Sequence, residues 1–220
     1  RVKRKQDARR AAILDTALRL ACEEGRAGLA INRIAGELDY TPGALYRYFE
    51  SKEALLAELQ DYAQRNILAA LMKEVPKWMA KGSGAEAALY RLLAAADFYV
   101  GLKRILPREA ALIGLIVGDP GEFQSRQHTQ RLNESAAALF AQGQVLFQNA
   151  EATGGLPKGD GRERALIFWS TLHGATQIWK LDKVEPRLKE PRYYGVRAAR
   201  ALLAGWGAPE ATLEKAWRLI

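Results

Sequence analysis

Apolar residues recur at helical spacing along nearly the whole chain. Ala11, Leu14, Ala17, Leu18 and Ala21 form a stripe, with Arg9, Arg10, Asp15, Arg19 and Glu23 largely outside it. The pattern predicts a first helix over 7–24, ended by Gly25. After a connector at 26–30, Ile31, Ile34, Ala35 and Leu38 mark one face of a short second helix. Asp39 tolerates the turn that must follow. Thr41 can accept a hydrogen bond from a free helix N–H, and Pro42 fits a first helical position, so a third helix is expected over 42–48. Leu45 and Phe49 lie on its inner side. Ser51 caps a long fourth helix, expected over 53–74 with Leu55, Leu56, Leu59, Tyr62, Ala63, Ile67, Ala70 and Leu71 at helical spacing. Pro76 and Lys81-Gly82-Ser83-Gly84 are read as a loop.

The remaining pattern is also helical. Residues 85–103 are apolar nearly all round, as in the centre of a bundle. Pro107 opens a helix through Val117. A long helix over 122–151 carries Leu132, Ala136, Leu139, Gly143 and Leu146 as a packing seam. Residues 154–159 break the pattern. Further helices are expected over 161–181, 191–203 and 208–220, and no stretch alternates as a strand would. The fold class is therefore all-α.

Composition narrows the function. A charged fraction of 26% beside 49% hydrophobic residues is ordinary for a soluble globular protein of 220 residues. The longest apolar run, 110–118, is too short to span a bilayer, and no secretory leader pattern is visible, so no membrane association and a cytoplasmic location are expected. One cysteine, Cys22, excludes a disulfide framework and is expected in the core. Two histidines and one cysteine make no familiar zinc set, so neither metal nor cofactor is expected. Ser170 and His173 stand one turn apart with Glu163 on the same helix, but no glycine-rich nucleophile turn surrounds the serine, and catalysis is not expected. The formal charge of +8 suggests an anionic partner. Arg1, Lys3, Arg4, Lys5, Arg9 and Arg10 face only Asp7 within the first ten residues, an arm-like cluster ahead of a helix that suits phosphate contact.

The third helix offers a place for that partner. Gly43 and Ala44 leave its first turn almost bare, and a bare, positive helix start permits close approach to nucleic acid. Residues 25–56 resemble, without a gap, the DNA-binding motif of the TetR family of bacterial transcriptional regulators. Ile34-Ala35, the run from Thr41 to Tyr46, Phe49, and the ending Ser51-Lys52-Glu53-Ala54-Leu55-Leu56 carry the likeness. The resemblance implies an N-terminal three-helix helix-turn-helix domain over residues 1–50 and a helical bundle over 51–220 for ligand binding and dimerisation. It implies that Thr41, Pro42, Gly43 and Ala44 approach bases or phosphates, that Tyr46 and Lys52 bond phosphates, and that Arg47 and Tyr48 contact bases or backbone. Arg47 is the one side chain here able to make a bidentate contact to guanine. The family commonly has Thr or Ser where this chain has Ala30, so that contact passes to Asn32 or Arg33, or is absent. Asp39 replaces the usual turn glycine.

The resemblance further implies a homodimer on a palindromic operator and an apolar cavity for an effector, here of unknown identity. The helices over 161–181 and 191–203 match the family's dimer bundle in position. Trp169, Ser170, His173, Gly174, Ala175, Tyr194, Ala198 and Leu202 are its candidate interface. Tyr62, Phe98, Tyr99, Leu115, Phe123, His128, Phe140, His173 and Trp179 are the candidate ligand contacts. Their aromatic character suggests an apolar or aromatic effector. The expected function is that of a repressor released by such a ligand. The alternatives are a family member acting as an activator, or a helical protein that coats DNA without sequence preference.

Overall fold

The computed structural model describes residues 2–118, 129–181, 184, 185 and 187–220, the side chains of 2, 3, 129–136, 179 and 180 excepted. Among the described residues every regular element is helical. The chain divides into two compact units, Arg1–Leu68 with Lys103–Ala137, and Ala69–Leu102 with Ala138–Ile220.

The first unit opens with α1 (Val2–Glu24). It begins five residues ahead of expectation, so Lys3, Arg4, Lys5, Arg9 and Arg10 of the basic cluster lie in the first turns of a helix and not in an arm before one. Its buried face is Ile13, Leu14, Ala17, Leu18, Leu20 and Ala21, whereas Ala11 is exposed. Cys22 is exposed too, with Sγ 3.8 Å from the Pro107 carbonyl, because it turns past the edge of the face that Ala21 closes. Gly25 ends the helix at φ +62. Gly28 sits where any Cβ would collide with the Leu20 carbonyl, so a close backbone approach requires glycine there.

Next come α2 (Ile31–Glu37) and α3 (Pro42–Leu45), joined through Asp39 at φ 55. The helical turn of α3 continues in bonds from Tyr48 N and Phe49 N to the Leu45 carbonyl, 2.9 and 3.1 Å. Ser51 Oγ then accepts from Ala54 N (3.1 Å) and caps α4 (Lys52–Met79). Ile34, Ala35, Leu45, Phe49, Leu55, Leu56, Leu59 and Ala63 join the α1 face in one core. After α6 (Leu102–Ile105), α7 (Pro107–Gly118) contributes Leu112 to that core. Asn66 Nδ2 donates to the buried Glu109 at 2.9 Å, and Arg108 pairs with Asp15 at 3.4 Å.

In the second unit α4 runs through Pro76 and ends at Met79, so the loop expected from Pro76 is confined to 80–83. Proline deletes one donor and obstructs the preceding turn. The last turn nevertheless survives because Trp78 is buried edge-on against Phe98, centroids 6.2 Å apart, and Ala80 N closes on the Pro76 carbonyl at 3.1 Å. The central helix is α5 (Gly84–Val100), buried along most of its length. The long eighth helix is described as α8 (Thr129–Ala152), anchored by Phe147 and Ala150; residues 122–128 of the expectation lie outside the described residues.

Asp160 caps α9 (Gly161–Thr176) by accepting from Arg162 N and Glu163 N. This helix stops short of 181: Thr176 Oγ1 donates to the His173 carbonyl and Gln177 N to Gly174, tightening the chain into a 3-10 turn at Ile178–Leu181. Then come α10 (Pro191–Gly205) and α11 (Glu210–Trp217). Gly195 of α10 lies where a Cβ would strike Val100, which sets the close approach of α10 to α5. Arg164 is buried against Glu151 (2.8 Å) and donates to the Pro157 carbonyl (2.9 Å), tying down the loop before α9.

Candidate nucleic-acid interface

The short third helix is held out from the first unit by its own chemistry. Thr41 Oγ1 accepts from Ala44 N at 3.3 Å, and Pro42 occupies the first turn. Leu45 and Phe49 pin its inner side in the core. Asn32, Thr41, Pro42, Gly43, Tyr46 and Arg47 are exposed, and Ala44, Tyr48 and Lys52 are half-buried. Tyr46 is 49% exposed, so its ring does not fill the bundle. A Cβ added at Gly43 would meet nothing within 4 Å. The outer surface of α3 is thus small-sided and bare at its start, and flanked by phenols and a guanidinium.

Several basic residues near this surface are already engaged. Arg33 pairs with Glu24 at 2.7 Å and with Glu37 at 2.6 Å, leaving Asn32 as the exposed neighbour of the uncapped Ala30. Arg19 also reaches Glu37, at 2.5 Å. Hydrogen bonds from Arg33 and then Arg19 hold the Glu37 carboxyl below its ordinary range. Arg10 forks onto Glu58 and lies 4.8 Å over the Phe49 ring, so it serves the bundle. Lys5, Gln6 and Arg9 of α1, in contrast, line a pocket of about 380 Å³ together with Arg47 and Tyr48. The neighbouring Tyr48 phenol raises the pKa of the Arg9 guanidinium further. The i, i+4 spacing of Lys5 and Arg9 was the available sign that both share a face of α1.

The residues expected at a ligand site fall into separate groups. Tyr62 and Leu115 pack against the core of the first unit. In the second unit Phe98 pairs with Trp78. Tyr99, His173, Trp169 and Phe140 form one cluster. The Tyr99 hydroxyl lies 3.0 Å from His173 Nδ1, His173 stacks on Trp169 with centroids 5.5 Å apart, and Phe140 meets Trp169 edge-on at the same separation. Burial pushes the Tyr99 phenol up, against a smaller opposing effect of a hydrogen bond with Trp169. Phe123 and His128 lie outside the described residues, as does the side chain of Trp179.

Of the expected interface residues, Ser170 and Gly174 are exposed on α9, and Trp169 and Ala175 are half-buried. Tyr194, Ala198 and Leu202 are half-buried on α10. Leu166 and Ile167, 42% and 40% exposed, share the outer face of α9 with Ser170 and Gly174. The Ser170 hydroxyl donates to the Leu166 carbonyl at 2.8 Å, while His173 Nδ1 faces Tyr99, so the two do not form a nucleophile–base pair. Among the described residues no three His, Cys, Asp or Glu side chains are grouped to hold a metal, and no helix is long and apolar enough to cross a membrane.

Residues 13–59 match the model of the bacterial regulatory proteins of the tetR family. This segment is a TetR-family helix-turn-helix domain. The chain as a whole has the fold of solved TetR-family regulators. It is similar to the transcriptional regulator FadR from Bacillus subtilis, solved in complex with stearoyl-CoA, at 16% identity and TM-score 0.67, covering 88% of this chain and 97% of that one. It is similar to the fatty acid degradation regulator FadR from Bacillus halodurans at 16% identity and TM-score 0.67, covering 91% and 97%. A TetR-family regulator from Agrobacterium tumefaciens matches at 17% identity and TM-score 0.67, covering 92% and 100%. No curated protein matches the chain. The TetR-family match spans the end of α1, all of α2 and α3 and the start of α4, the same stretch that presents the bare helix.

Proposed function

We propose that this chain is a sequence-specific transcriptional regulator that binds a palindromic operator as a homodimer and acts as a repressor released by a small apolar or aromatic ligand. The observation that carries the reading is the exposed, Thr41-capped start of α3, with open space at Gly43 and Tyr46 standing outward beside Arg47. Such an element fits the major groove, where small residues admit the backbone and the flanking donors meet phosphates. In this reading residues 1–50 bind DNA, residues 51–220 bind the effector and dimerise, and the protein works in the cytoplasm. Tyr46 and Lys52 contact phosphates. Thr41, Pro42, Gly43 and Ala44 lie nearest the bases, and Asn32 approaches the backbone.

The exposed apolar face of α9 supports dimerisation, since Leu166 and Ile167 stand in solvent beside the small Ser170 and Gly174. The Tyr99–His173 pair among aromatic rings supports a largely apolar effector fixed by one polar contact. The B. subtilis FadR complex with stearoyl-CoA is in keeping with such a ligand. A ligand that prefers one spacing of the two reading heads would lower operator affinity about 5–150-fold through a coupling of about 1–3 kcal/mol.

Selection of binding sites from random duplex DNA tests the reading. It predicts enrichment of one palindrome with half-sites about one helical turn apart. Retention of DNA without an enriched motif would favour a coating protein, and no retention at low salt would refute DNA binding.

A further inference from the structure

A pocket between α1 and the end of the α3 turn adjoins the α3 surface that carries the proposed function and shares Arg47 with it. It is lined by Lys5, Gln6, Arg9, Arg47 and Tyr48. Three of these side chains are cations, and the other two, an amide and a phenol, can donate a hydrogen bond. Among the described residues no carboxylate lines it. A concavity whose lining side chains are all donors suits an oxyanion. Arg10, the nearby cation with a carboxylate partner, points into the bundle at Glu58.

The shape of α1 adds a second argument. No described side chain before Ile13 is fully buried, and Arg10 alone among them is half-buried, so the first two turns of α1 add little to the core of their own unit. A helix extended past its core gains little from folding, yet here it carries Lys5 and Arg9 one turn apart on one face. Arg9 and Tyr48 line the pocket together, Tyr48 from the end of the α3 turn.

We propose that this pocket is a phosphodiester clamp, in which Lys5 and Arg9 of α1 and Arg47 together hold one backbone phosphate of the bound duplex. The clamp rests on the DNA-binding reading above and deepens it in two respects. It extends each half-site footprint from α3 to the amino-terminal turns of α1. It also turns Arg47 from the guanine reader suggested by its chemistry into a backbone contact. Base discrimination then falls to the short side chains of Thr41, Pro42 and Ala44, whose apolar atoms suit thymine methyl groups, and to duplex shape. Tyr48, in the same lining as Arg9, is a positioning residue for it.

The test measures affinity against salt for the full-length protein on its selected operator and on scrambled duplex of equal length. Lys5→Gln, Arg9→Gln, Arg47→Gln and Tyr48→Phe are compared with Lys81→Gln, an exposed control in the loop before α5. The triple variant of Lys5, Arg9 and Arg47 to Gln is expected to weaken both duplexes equally, by about eightfold at 0.1 M salt, and to flatten the log–log salt slope by about 0.9, with each single cation variant giving part of that change. Tyr48→Phe is expected to weaken both by a smaller factor, and Lys81→Gln neither. A fall in operator preference confined to Arg47→Gln would overturn the clamp by making Arg47 a base reader. Unchanged slopes for Lys5→Gln and Arg9→Gln in a wild type that still selects its operator would overturn the clamp alone. Failure of the wild type to bind any duplex would overturn the clamp and the DNA-binding reading together. Saturable binding of inorganic phosphate, lost in Arg9→Gln while duplex slopes stay unchanged, would assign the pocket to a free anion instead.

Discussion

Gly43 and Gly28 show how one residue type serves two purposes. At Gly28 an added methyl meets the Leu20 carbonyl, and at Gly43 it meets open space. Gly28→Ala is therefore expected to destabilise the first unit by about 1–3 kcal/mol through overpacking. Gly43→Ala should leave the melting temperature unchanged or slightly raised, since alanine favours helix. It should nevertheless weaken operator binding, because the open space is where the duplex backbone would come. Thermal melts paired with duplex titrations separate the two effects, and unaltered operator affinity in Gly43→Ala would count against close approach at that turn. Tyr46→Phe and Lys52→Ala should weaken operator and scrambled duplex by similar factors, as phosphate contacts do. Glu37 carries a pH prediction. Its carboxyl is held below the ordinary value of 4.5, so the ionised form contributes stability above that pH, and the contribution is lost as pH falls from 4.5 through the lower folded value. Below pH 4.5 the wild-type melting temperature should fall faster than that of Glu37→Gln, and parallel curves would contradict the role of the Arg33 and Arg19 pairs.

At the scale of elements, what was legible in the sequence was local. Gly25, Asp39, the Thr41-Pro42 start and the Ser51 cap each act within a few residues of their partners, and the structure has them as turn or cap where expected. What was not legible depends on residues far apart in the chain. Pro76 reads as a helix end, yet α4 continues because Trp78 finds Phe98 on α5. Arg10 reads as one more cation of a basic cluster, yet it is held by Glu58, 48 residues away. Phe147, the anchor of α8, meets Phe168 of α9 and Trp206 just past α10 edge-on, both later in the chain, and no spacing rule singles it out from Leu146 beside it. The candidate surface on α3 was legible because caps and bare turns are local. The share of α1 in the basic pocket was legible only as charge, because its place beside Arg47 and Tyr48 is set by packing. Trp78→Ala tests the tertiary account of the α4 end. It should destabilise the second unit by about 3–5 kcal/mol, whereas a change under about 1 kcal/mol would mean that the last turn of α4 stands without that contact.

At the scale of the whole molecule, the net charge of +8 and an exposed apolar face on α9 are the features on which the proposed binding of DNA and of a second copy rests. Pairing matters because two weak half-site contacts become one tight contact only when they are linked. Ile167→Asp places a charge on the exposed face of α9 without touching its buried face of Ala165, Phe168 and Leu172. It should shift the sedimenting species from a dimer to the 24.4 kDa protomer and lower operator affinity with it. A dimer that persists in Ile167→Asp would place the interface elsewhere. The central claim is that the protein recognises a particular DNA sequence through the α3 surface. The most direct test is the ratio of affinities for the selected palindrome and for a scrambled duplex of the same length, at one moderate salt concentration. The account predicts a ratio of about a thousandfold or more. A ratio near one, with both duplexes bound, would contradict it and leave a protein that holds DNA by charge alone.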